Sequence, residues 1–312
     1  MILLTCFSFC LVGVRGQACR TGLEWAVHLR PYSPRCREPL IPFKTKILPS
    51  SRFLDQERNT RTPFPMSKTA IIIPARWAST RLPGKPLLKL GGKPLVQHVW
   101  ERCRKVREAD EVIIATDDMR IAEAAFDFGA EVTLTSNKHP TGTDRIAEVA
   151  RKLSKFEIVV NVQGDEPFIE PALIRRLIGA LKKDKSLAMS TAACPLDEGE
   201  LENPHCVKVV LGINGDALYF SRSPIPCDRD GNASPTRLRH LGIYAYRRKF
   251  LLDYVKWKQT PLEKSEKLEQ LRALEHGAKI RVITTKGAGP GIDTPEDAEK
   301  AAELLRQKDR KS

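Results

Sequence analysis

Residues 70–87 read AIIIPARWASTRLPGKPL, and the rest of the chain can be interpreted outward from them. The β-branched run at residues 70–73 is typical of a strand buried on both faces in a parallel sheet. The residues after it include three prolines and one glycine, which together predict a loop. Loops that leave the carboxyl ends of parallel strands form the ligand crevice of an open α/β sheet, so this loop is a candidate binding element.

The loop carries three cations, Arg76, Arg81 and Lys85, and the hydroxyls of Ser79 and Thr80. Cations, hydroxyls and free backbone N–H groups suit a polyphosphate. The spacing matches neither a Walker A loop nor a Gly-x-Gly-x-x-Gly fingerprint, so a solvated basic loop is the alternative interpretation.

Apolar runs and helical patterns alternate along most of the chain after residue 66. This alternation predicts βαβ units, and therefore an α/β fold with a mainly parallel sheet flanked by helices. Residues 190–250 are predicted as a smaller β-rich insertion that carries acceptor contacts and a dimer surface. A hairpin signal lies within it at Asn214-Gly215. One continuous helix is predicted from Pro261 to Glu275, with Gly277 as its stop.

Residues 1–65 are predicted to lie outside the fold, and residues 66–312 to form the domain. The extension holds ten Lys and Arg against four Asp and Glu and shows no hydrophobic periodicity. Its apolar start, residues 1–14, is too short to span a membrane. We interpret it as an unstructured or targeting-like extension, or as the product of a misassigned start codon upstream of Met66.

The net charge of +14 favours anionic partners such as nucleotides and acidic sugars. The chain shows no basic helix, interleaved aromatic residues or zinc-finger spacing, so nucleic-acid binding is not expected. Its eight cysteines include no Cys-x-x-Cys pair, which favours incidental thiols in a reducing compartment over a zinc site.

Carboxylates mark two further loops. Asp165 and Glu166 follow the predicted strand at 157–162, and Asp293 precedes the last predicted helix. A carboxylate just beyond the end of a buried parallel strand is well placed to hold a metal ion over the ligand crevice. The alternatives are a turn with solvated acids at 165–166 and a helix cap at Asp293.

Taken in order, these loops resemble the 3-deoxy-manno-octulosonate cytidylyltransferase family, also called CMP-KDO synthetases. The ordered set carries the resemblance, and it covers nearly all of residues 68–305. The matching segments are residues 74–87, Gly142–Arg145, Asn161–Pro167, Phe220–Pro226, Arg239–Tyr246, Leu268–Arg272 and Asp293–Asp297.

The resemblance implies transfer of CMP from CTP to 3-deoxy-D-manno-octulosonate (KDO), which gives CMP-KDO and pyrophosphate and activates KDO for lipopolysaccharide synthesis. It implies a Rossmann-like mixed, mainly parallel sheet of the nucleotide-diphospho-sugar transferase type, with Mg²⁺ as cofactor. It also implies a cytoplasmic enzyme, a homodimer, and no stable membrane insertion of the catalytic domain.

The resemblance also implies roles for individual residues. The expected catalytic residues are Arg76, Lys85 and Asp165, and the expected metal ligands are Asp165 and Asp293. The expected nucleotide-binding residues are Pro74, Ala75, Arg76, Ser79, Lys85, Gly142, Arg145 and Gln163. The expected sugar-binding residues are Gln163, Arg222, His240, Tyr244, Glu266 and Gln270.

The sugar-binding set is supported by spacing. His240 and Tyr244 are four apart on a predicted strand and share one face, and Glu266 and Gln270 share one face of the predicted helix. The alternative is that the aromatic residues belong to a core and the acids to a solvated face.

Two other functions stay open at this point. The same fold and first loop serve other sugar nucleotidyltransferases, including CMP-sialic acid synthetase. A catalytically inactive binding protein on the same fold is the second alternative. The presence of both Asp165 and Asp293 argues against it, because a binding protein does not need them.

We expect a chain that begins at Met66 to fold and to be active, because the extension cannot bury enough apolar surface to order itself. Thermal unfolding and turnover of the full and shortened chains test this expectation. A large drop in melting temperature after truncation would show instead that the extension packs on the domain.

Overall fold

The computed structural model describes residues 68–78, 82–231, 235–287 and 289–309. The extension predicted at residues 1–65 and the predicted site residue Ser79 lie outside these ranges. Within the ranges the chain forms a mixed, mainly parallel sheet flanked by helices, which confirms the predicted fold class. None of the helices in these ranges is long and apolar enough to cross a membrane.

The strands of the described residues begin at the predicted buried run. They are β1 (Thr69–Ala75), β2 (Lys89–Leu90), β3 (Lys93–Pro94), β4 (Glu111–Thr116), β5 (Glu131–Leu134), β6 (Ile158–Asn161), β7 (Met189–Pro195), β8 (Lys208–Leu211), β9 (Ala217–Ser221), β10 (Leu238–Arg247) and β11 (Ile280–Thr284).

The helices of the described residues flank this sheet. They are α1 (Leu95–Cys103), α2 (Met119–Asp127), α3 (Gly142–Lys152), α4 (Pro171–Lys183), α5 (Arg248–Tyr254), α6 (Pro261–Glu266), α7 (Gln270–Glu275) and α8 (Pro295–Asp309), with short 3₁₀ turns at Lys85–Leu87 and Glu198–Glu200.

The main sheet has the strand order β11-β7-β10-β6-β1-β4-β5. β1 lies near its centre, pairs in parallel with both β4 and β6, and is buried at every residue. Ile71 and Ile73 pack into the core cluster on one face, which includes residues of α1 and α4, and Ile72 packs into the cluster on the other face with residues of α3. The predicted two-sided burial of this strand is therefore confirmed.

The chain leaves β1 toward β4 on one side and leaves β6 toward β7 on the other. The order of strands thus reverses between β1 and β6, and this is the switch point at which open α/β sheets bind ligands. The loops after these two strands contain most of the predicted site residues.

The segment 190–250 is less separate from the sheet than the sequence predicts. β7 and β10 are strands of the main sheet, with β10 antiparallel to both β6 and β7. The β8–β9 hairpin branches from the start of β10, and its turn contains Gly215 at φ +78°. β8 and β9 belong to the same nine-stranded sheet but lie off its main path of strands.

The prediction of one continuous helix over residues 261–275 is wrong, because the structure has two helices there, α6 and α7. Lys267 ends α6 in the left-handed conformation, with φ 55°. The carbonyls of Glu266 and Lys267 accept hydrogen bonds from the Arg222 guanidinium, at 2.7 and 3.4 Å. Glu266 and Gln270 therefore belong to different helices and do not share one helical face.

A third, smaller cluster docks α8 on the rest of the domain. Its buried members include Leu90, Phe168 and Ile292, together with Ala298 and Ala301 of α8. The backbone N–H of Ile292 also donates to the carbonyl of Asp165 at 3.0 Å. The start of α8 is thereby held beside the loop that follows β6.

Leu177 on α4 is fully buried in the core. We expect Leu177→Ala to lower the free energy of unfolding by about 2–5 kcal/mol, because the side chain leaves a cavity that the packed core closes only in part. Urea unfolding measures this change. Leu218→Ala is the matched control: Leu218 is 64% exposed, and its loss should change stability by less than about 0.5 kcal/mol.

Candidate active site

Two cavities meet at the switch point of the sheet. The first, which we call the strand-end cavity, has a volume of about 350 Å³ and collects residues from the loops after β1 and β6 and from the start of α8. It contains most of the expected nucleotide and metal residues. Its lining residues are Pro74, Ala75, Arg76, Ala78, Lys85, Pro86, Gln163, Gly164, Asp165 and Asp293.

Lys85 joins the three segments that build this cavity. Its Nζ donates to Asp165 Oδ2 at 2.5 Å and to Asp293 Oδ1 at 3.0 Å. Two carboxylates that are distant in sequence therefore reach one positive group. The arrangement shows that their oxygens can share a cation at this position.

Two glycines allow the loops to approach closely. Gly84, which precedes Lys85, has φ +69°, and a Cβ there would lie 3.0 Å from the Trp77 ring. A Cβ on Gly164 would lie 3.0 Å from the carbonyl oxygen of Pro74, which is tighter than ordinary contact. Glycine at 164 thus lets the loop after β6 lie against the end of β1.

Arg76 and Arg145 have different environments: Arg76 lines the strand-end cavity, and Arg145 does not. Arg76 donates from Nη1 to the carbonyl of Pro140 at 3.2 Å, and its Nη2 is buried with no hydrogen-bond partner among the described residues. Burial, and then the Arg145 guanidinium, lower the pKa of Arg76 from its usual range. Arg145 is 1% exposed and contacts Asp117 at 3.0 Å and the Thr135 hydroxyl at 2.6 Å.

The second cavity, which we call the tyrosine cavity, adjoins the first and has a volume of about 320 Å³. Gln163 lines both cavities. The first turn of α3 also lines it, and the backbone N–H groups of such a turn have no partner within their helix. The lining residues are Gly142, Thr143, Asn161, Gln163, Met189, Gly242, Tyr244, Tyr246, Tyr254, Lys267, Leu268, Glu269 and Gln270.

Gln270 supplies an unpaired polar group to this cavity. It is 5% exposed, and its Nε2 has no hydrogen-bond partner among the described residues. A buried amide without a partner carries a free-energy cost that a ligand with a suitable acceptor would remove. The neighbouring Glu269 also lines the cavity, and burial raises the pKa of its carboxyl above the usual range.

Four of the expected site residues line neither cavity in the described part of the chain: Arg145, Arg222, His240 and Glu266. Arg145 is occupied by Asp117 and Thr135. Glu266 accepts hydrogen bonds from the Ser221 hydroxyl at 2.6 Å and from the backbone N–H of Arg222 at 2.9 Å.

His240 lies behind Tyr244, with ring centroids 5.5 Å apart, so the two do share one face as the spacing predicts. The Thr191 hydroxyl lies 2.8 Å from the carbonyl of Ile243, to which it can donate, and 2.9 Å from His240 Nε2, with which it shares a hydrogen bond. Burial lowers the pKa of His240 to about 3, so the ring is neutral at physiological pH. In this structure His240 supports the Tyr244 ring from behind.

Sequence reasoning did not select Glu269, Thr143, Asn161, Tyr246 or Tyr254, which all line the tyrosine cavity. Two signals for Glu269 were available: it lies within the Leu268–Arg272 segment of the family resemblance, and it shares the predicted helical face of Glu266 and Gln270. Glu166 was noted as a carboxylate beside Asp165. Burial, and then the charge of Asp165, raise the pKa of Glu166 to about 7.

A family model described as Cytidylyltransferase matches residues 70–280. The 3-deoxy-manno-octulosonate cytidylyltransferase of Myxococcus xanthus is 49% identical over 239 residues, which is 77% of this chain and 97% of that protein. The protein of the same name from Geobacter sulfurreducens is 50% identical over 252 residues, which is 77% of this chain and 100% of that protein.

Solved structures agree with these sequence matches. A CMP:2-keto-3-deoxy-manno-octonic acid synthetase complexed with CTP is 44% identical, with a TM-score of 0.76, and the match covers 78% of this chain and 100% of that chain. A 4-diphosphocytidyl-2C-methyl-D-erythritol synthase from Anaerococcus prevotii is 17% identical, with a TM-score of 0.54 over 77% of this chain and 99% of that chain, and shows the fold alone. The chain belongs to the 3-deoxy-manno-octulosonate cytidylyltransferase family.

Proposed function

We propose that this protein transfers CMP from CTP to KDO and releases pyrophosphate. The observation that carries the proposal is the pair of adjoining cavities that share Gln163 at the switch point of the sheet. One cavity is rich in charge and suits a triphosphate, and the other is lined by aromatic and amide side chains and suits a sugar acid. Family membership gives the two substrates their identity, because relatives carry the name of this activity.

The nucleotide phosphates would bind in the strand-end cavity. Arg76 has a buried Nη2 without a hydrogen-bond partner among the described residues, and a phosphate oxygen would satisfy it. Lys85 supplies a second positive group to the same cavity. Phosphoryl-type transfers depend chiefly on position and charge neutralisation, which are the contributions that these two residues can make.

Mg²⁺ would be held by Asp165 and Asp293. The fit is supported by Lys85 Nζ, a positive group that already contacts both carboxylates. The described residues contain no cluster of three or more His, Cys, Asp or Glu that could hold a metal ion. Two carboxylates suffice for Mg²⁺, which commonly takes its other ligands from substrate phosphates and water. When bound, the ion would supply neutralising charge between the α-phosphate and the attacking hydroxyl of the sugar.

KDO would bind in the tyrosine cavity with its anomeric hydroxyl toward Gln163. Gln270 offers a buried amide donor, and Tyr244 offers a hydroxyl on a ring that is fixed by His240. Glu269 lines the same cavity and would accept hydrogen bonds from sugar hydroxyls. No described residue is assigned as a general base, and Mg²⁺, when bound, would supply the positive charge that makes the attacking hydroxyl more acidic.

An assay that offers CTP with KDO or with sialic acid, and follows pyrophosphate release, tests the proposal. We expect release with KDO and none with sialic acid above background. The opposite preference would support the related CMP-sialic acid synthetase activity, and release with neither would support a binding protein.

A cytoplasmic location and a homodimer are further proposals that rest on the family resemblance. Light scattering on the purified protein measures the mass in solution. A mass of one chain at micromolar concentration would contradict the dimer.

We expect Asp165→Asn and Asp293→Asn each to lower turnover by about 100-fold or more, because each removes one of two carboxylates proposed to hold the metal. Both carboxylates are partly exposed, so stability should change by about 1 kcal/mol or less. Asp253→Asn is a matched control, because Asp253 also pairs with a lysine, Lys256 at 2.9 Å, and lines neither cavity. Wild-type turnover at saturating Mg²⁺ in either site variant would contradict the metal assignment.

We expect Tyr244→Phe to raise the KM for KDO by about 2–10-fold, the effect of one lost hydrogen bond, with the KM for CTP nearly unchanged. His240→Ala should act in the same direction through loss of support for the ring. Both KM values and the melting temperature are measured. Equal defects for the two substrates would rule out a role confined to the sugar side.

A further inference from the structure

Trp77 and Gly84 bring together the two ends of the loop that follows β1. The backbone N–H of Gly84 donates to the carbonyl of Trp77 at 3.1 Å, and a Cβ on Gly84 would lie 3.0 Å from the indole ring. The 3₁₀ turn that begins at Lys85 follows directly, and the backbone N–H of Leu88 donates to the carbonyl of Lys85 at 3.1 Å. The contact between Trp77 and Gly84 therefore fixes where this turn, and with it Lys85, begins.

The guanidinium of Arg120 lies over the indole of Trp77. Its Cζ is 3.3 Å from the centroid of the ring. A cation over an aromatic face is attracted by the quadrupole of the ring, and tryptophan gives the strongest attraction. Arg120 belongs to the first turn of α2, so this contact joins α2 to the start of the loop after β1.

Asp118 holds the Arg120 side chain in place for this contact. Arg120 donates from Nε to Asp118 Oδ1 at 2.9 Å and from Nη2 to Oδ2 at 2.6 Å. The same carboxylate caps α2 by accepting from the backbone N–H of Arg120 at 3.0 Å. The side-chain hydrogen bond to Arg120 lowers the pKa of Asp118 below its usual range, so the pair is charged at neutral pH. A bidentate pair of this kind fixes the plane of the guanidinium.

Neither Arg120 nor Trp77 lines the strand-end cavity or the tyrosine cavity, so any effect on the reaction must act through Lys85. The Nζ of Lys85 contacts the two carboxylates proposed to hold the metal, and these contacts compete with metal binding. The backbone contacts around Gly84 place the lysine independently of those carboxylates.

We propose that Arg120 is a positioning residue for the nucleotide phosphates: held by Asp118, it stacks on Trp77 and thereby keeps Lys85 directed into the strand-end cavity. The inference rests on the proposed function. The alternative is that Arg120, whose side chain is 56% exposed, only covers the end of α2.

The kinetic test uses Arg120→Ala, which removes the guanidinium but keeps a good helix former in α2. We expect the KM for CTP to rise about threefold or more, because a smaller fraction of the protein has the loop in its binding-competent position. The KM for KDO should stay within about twofold of its wild-type value. An unchanged KM for CTP, or an equal rise for both substrates, would overturn the proposal.

Arg104→Ala is the matched control. Arg104 also lies over a tryptophan, with its Cζ 5.6 Å from the centroid of the Trp100 ring, and it lines neither cavity. We expect both KM values of this variant to equal those of the wild type. A rise in the KM for CTP as large as in Arg120→Ala would show that loss of any such surface arginine has this effect, and would overturn the proposal.

A second substitution tests whether Arg120 acts through the indole. Trp77→Leu keeps an apolar side chain but offers no aromatic face to a cation. In this background we expect Arg120→Ala to raise the KM for CTP by less than about twofold, because the two residues then no longer interact. An effect as large as in the wild-type background would overturn the proposal. Trp77→Met serves in the same test if Trp77→Leu does not fold.

Hydrogen exchange tests the same link without any activity. The amides of Gly84, Lys85 and Leu88 should exchange about threefold faster or more in Arg120→Ala, while those of β6 stay unchanged. Unchanged exchange at these three amides would overturn the proposal. If the wild-type protein made no CMP-KDO, the proposed function would fail, and this measurement would still decide whether Arg120 holds the turn at Lys85.

Discussion

The parallel pairing of β1 with β6 is the constraint on which the site depends. Register places Ile72 opposite Asn161, so both strands end at the same edge of the sheet. The contact between Gly164 and the carbonyl of Pro74 then brings the two following loops together. Cations from the first loop and a carboxylate from the second lie close together there, because both loops leave the sheet at the same edge. The tyrosine cavity follows from the same arrangement, since β10 pairs with the free side of β6.

Within that frame, charges of opposite sign compensate one another. Lys85 contacts Asp165 and Asp293, and Arg145 contacts Asp117. Even so, Arg76 Nη2 and Arg145 Nε are buried and have no hydrogen-bond partner among the described residues. A site that balances most of its charges internally can fold without substrate, and the remaining unsatisfied groups are those best suited to recognise a ligand.

Local patterns in the sequence predicted the strand at 70–73, the loop after it and the carboxylate beyond the strand at 157–162. A β-branched run and the prolines and glycines that follow it are local signals, which can be read without knowledge of the fold. The break between α6 and α7 could not be predicted in this way. At the break the Arg222 guanidinium donates to the carbonyl of Glu266, which lies 44 positions later in the chain. A continuous helix would place Glu266 and Glu269 on one face, but in the structure they separate. Glu266 accepts hydrogen bonds from Ser221 and the Arg222 backbone, and Glu269, beyond the break, lines the tyrosine cavity. In the sequence, Arg145 is typical of an exposed residue on a helix. Its pairing with Asp117 depends on tertiary structure and is visible only in the folded protein.

The position of Asp293 near the end of the chain determines when its contact with Lys85 can form during synthesis. Asp293 pairs with a lysine that precedes it by 208 positions, and it is held there because Ile292 and α8 dock beside the loop after β6. During synthesis on the ribosome, the sheet and the cationic loop emerge well before this carboxylate does. The contact between Lys85 and Asp293 therefore cannot form until the segment that begins α8 has left the exit tunnel.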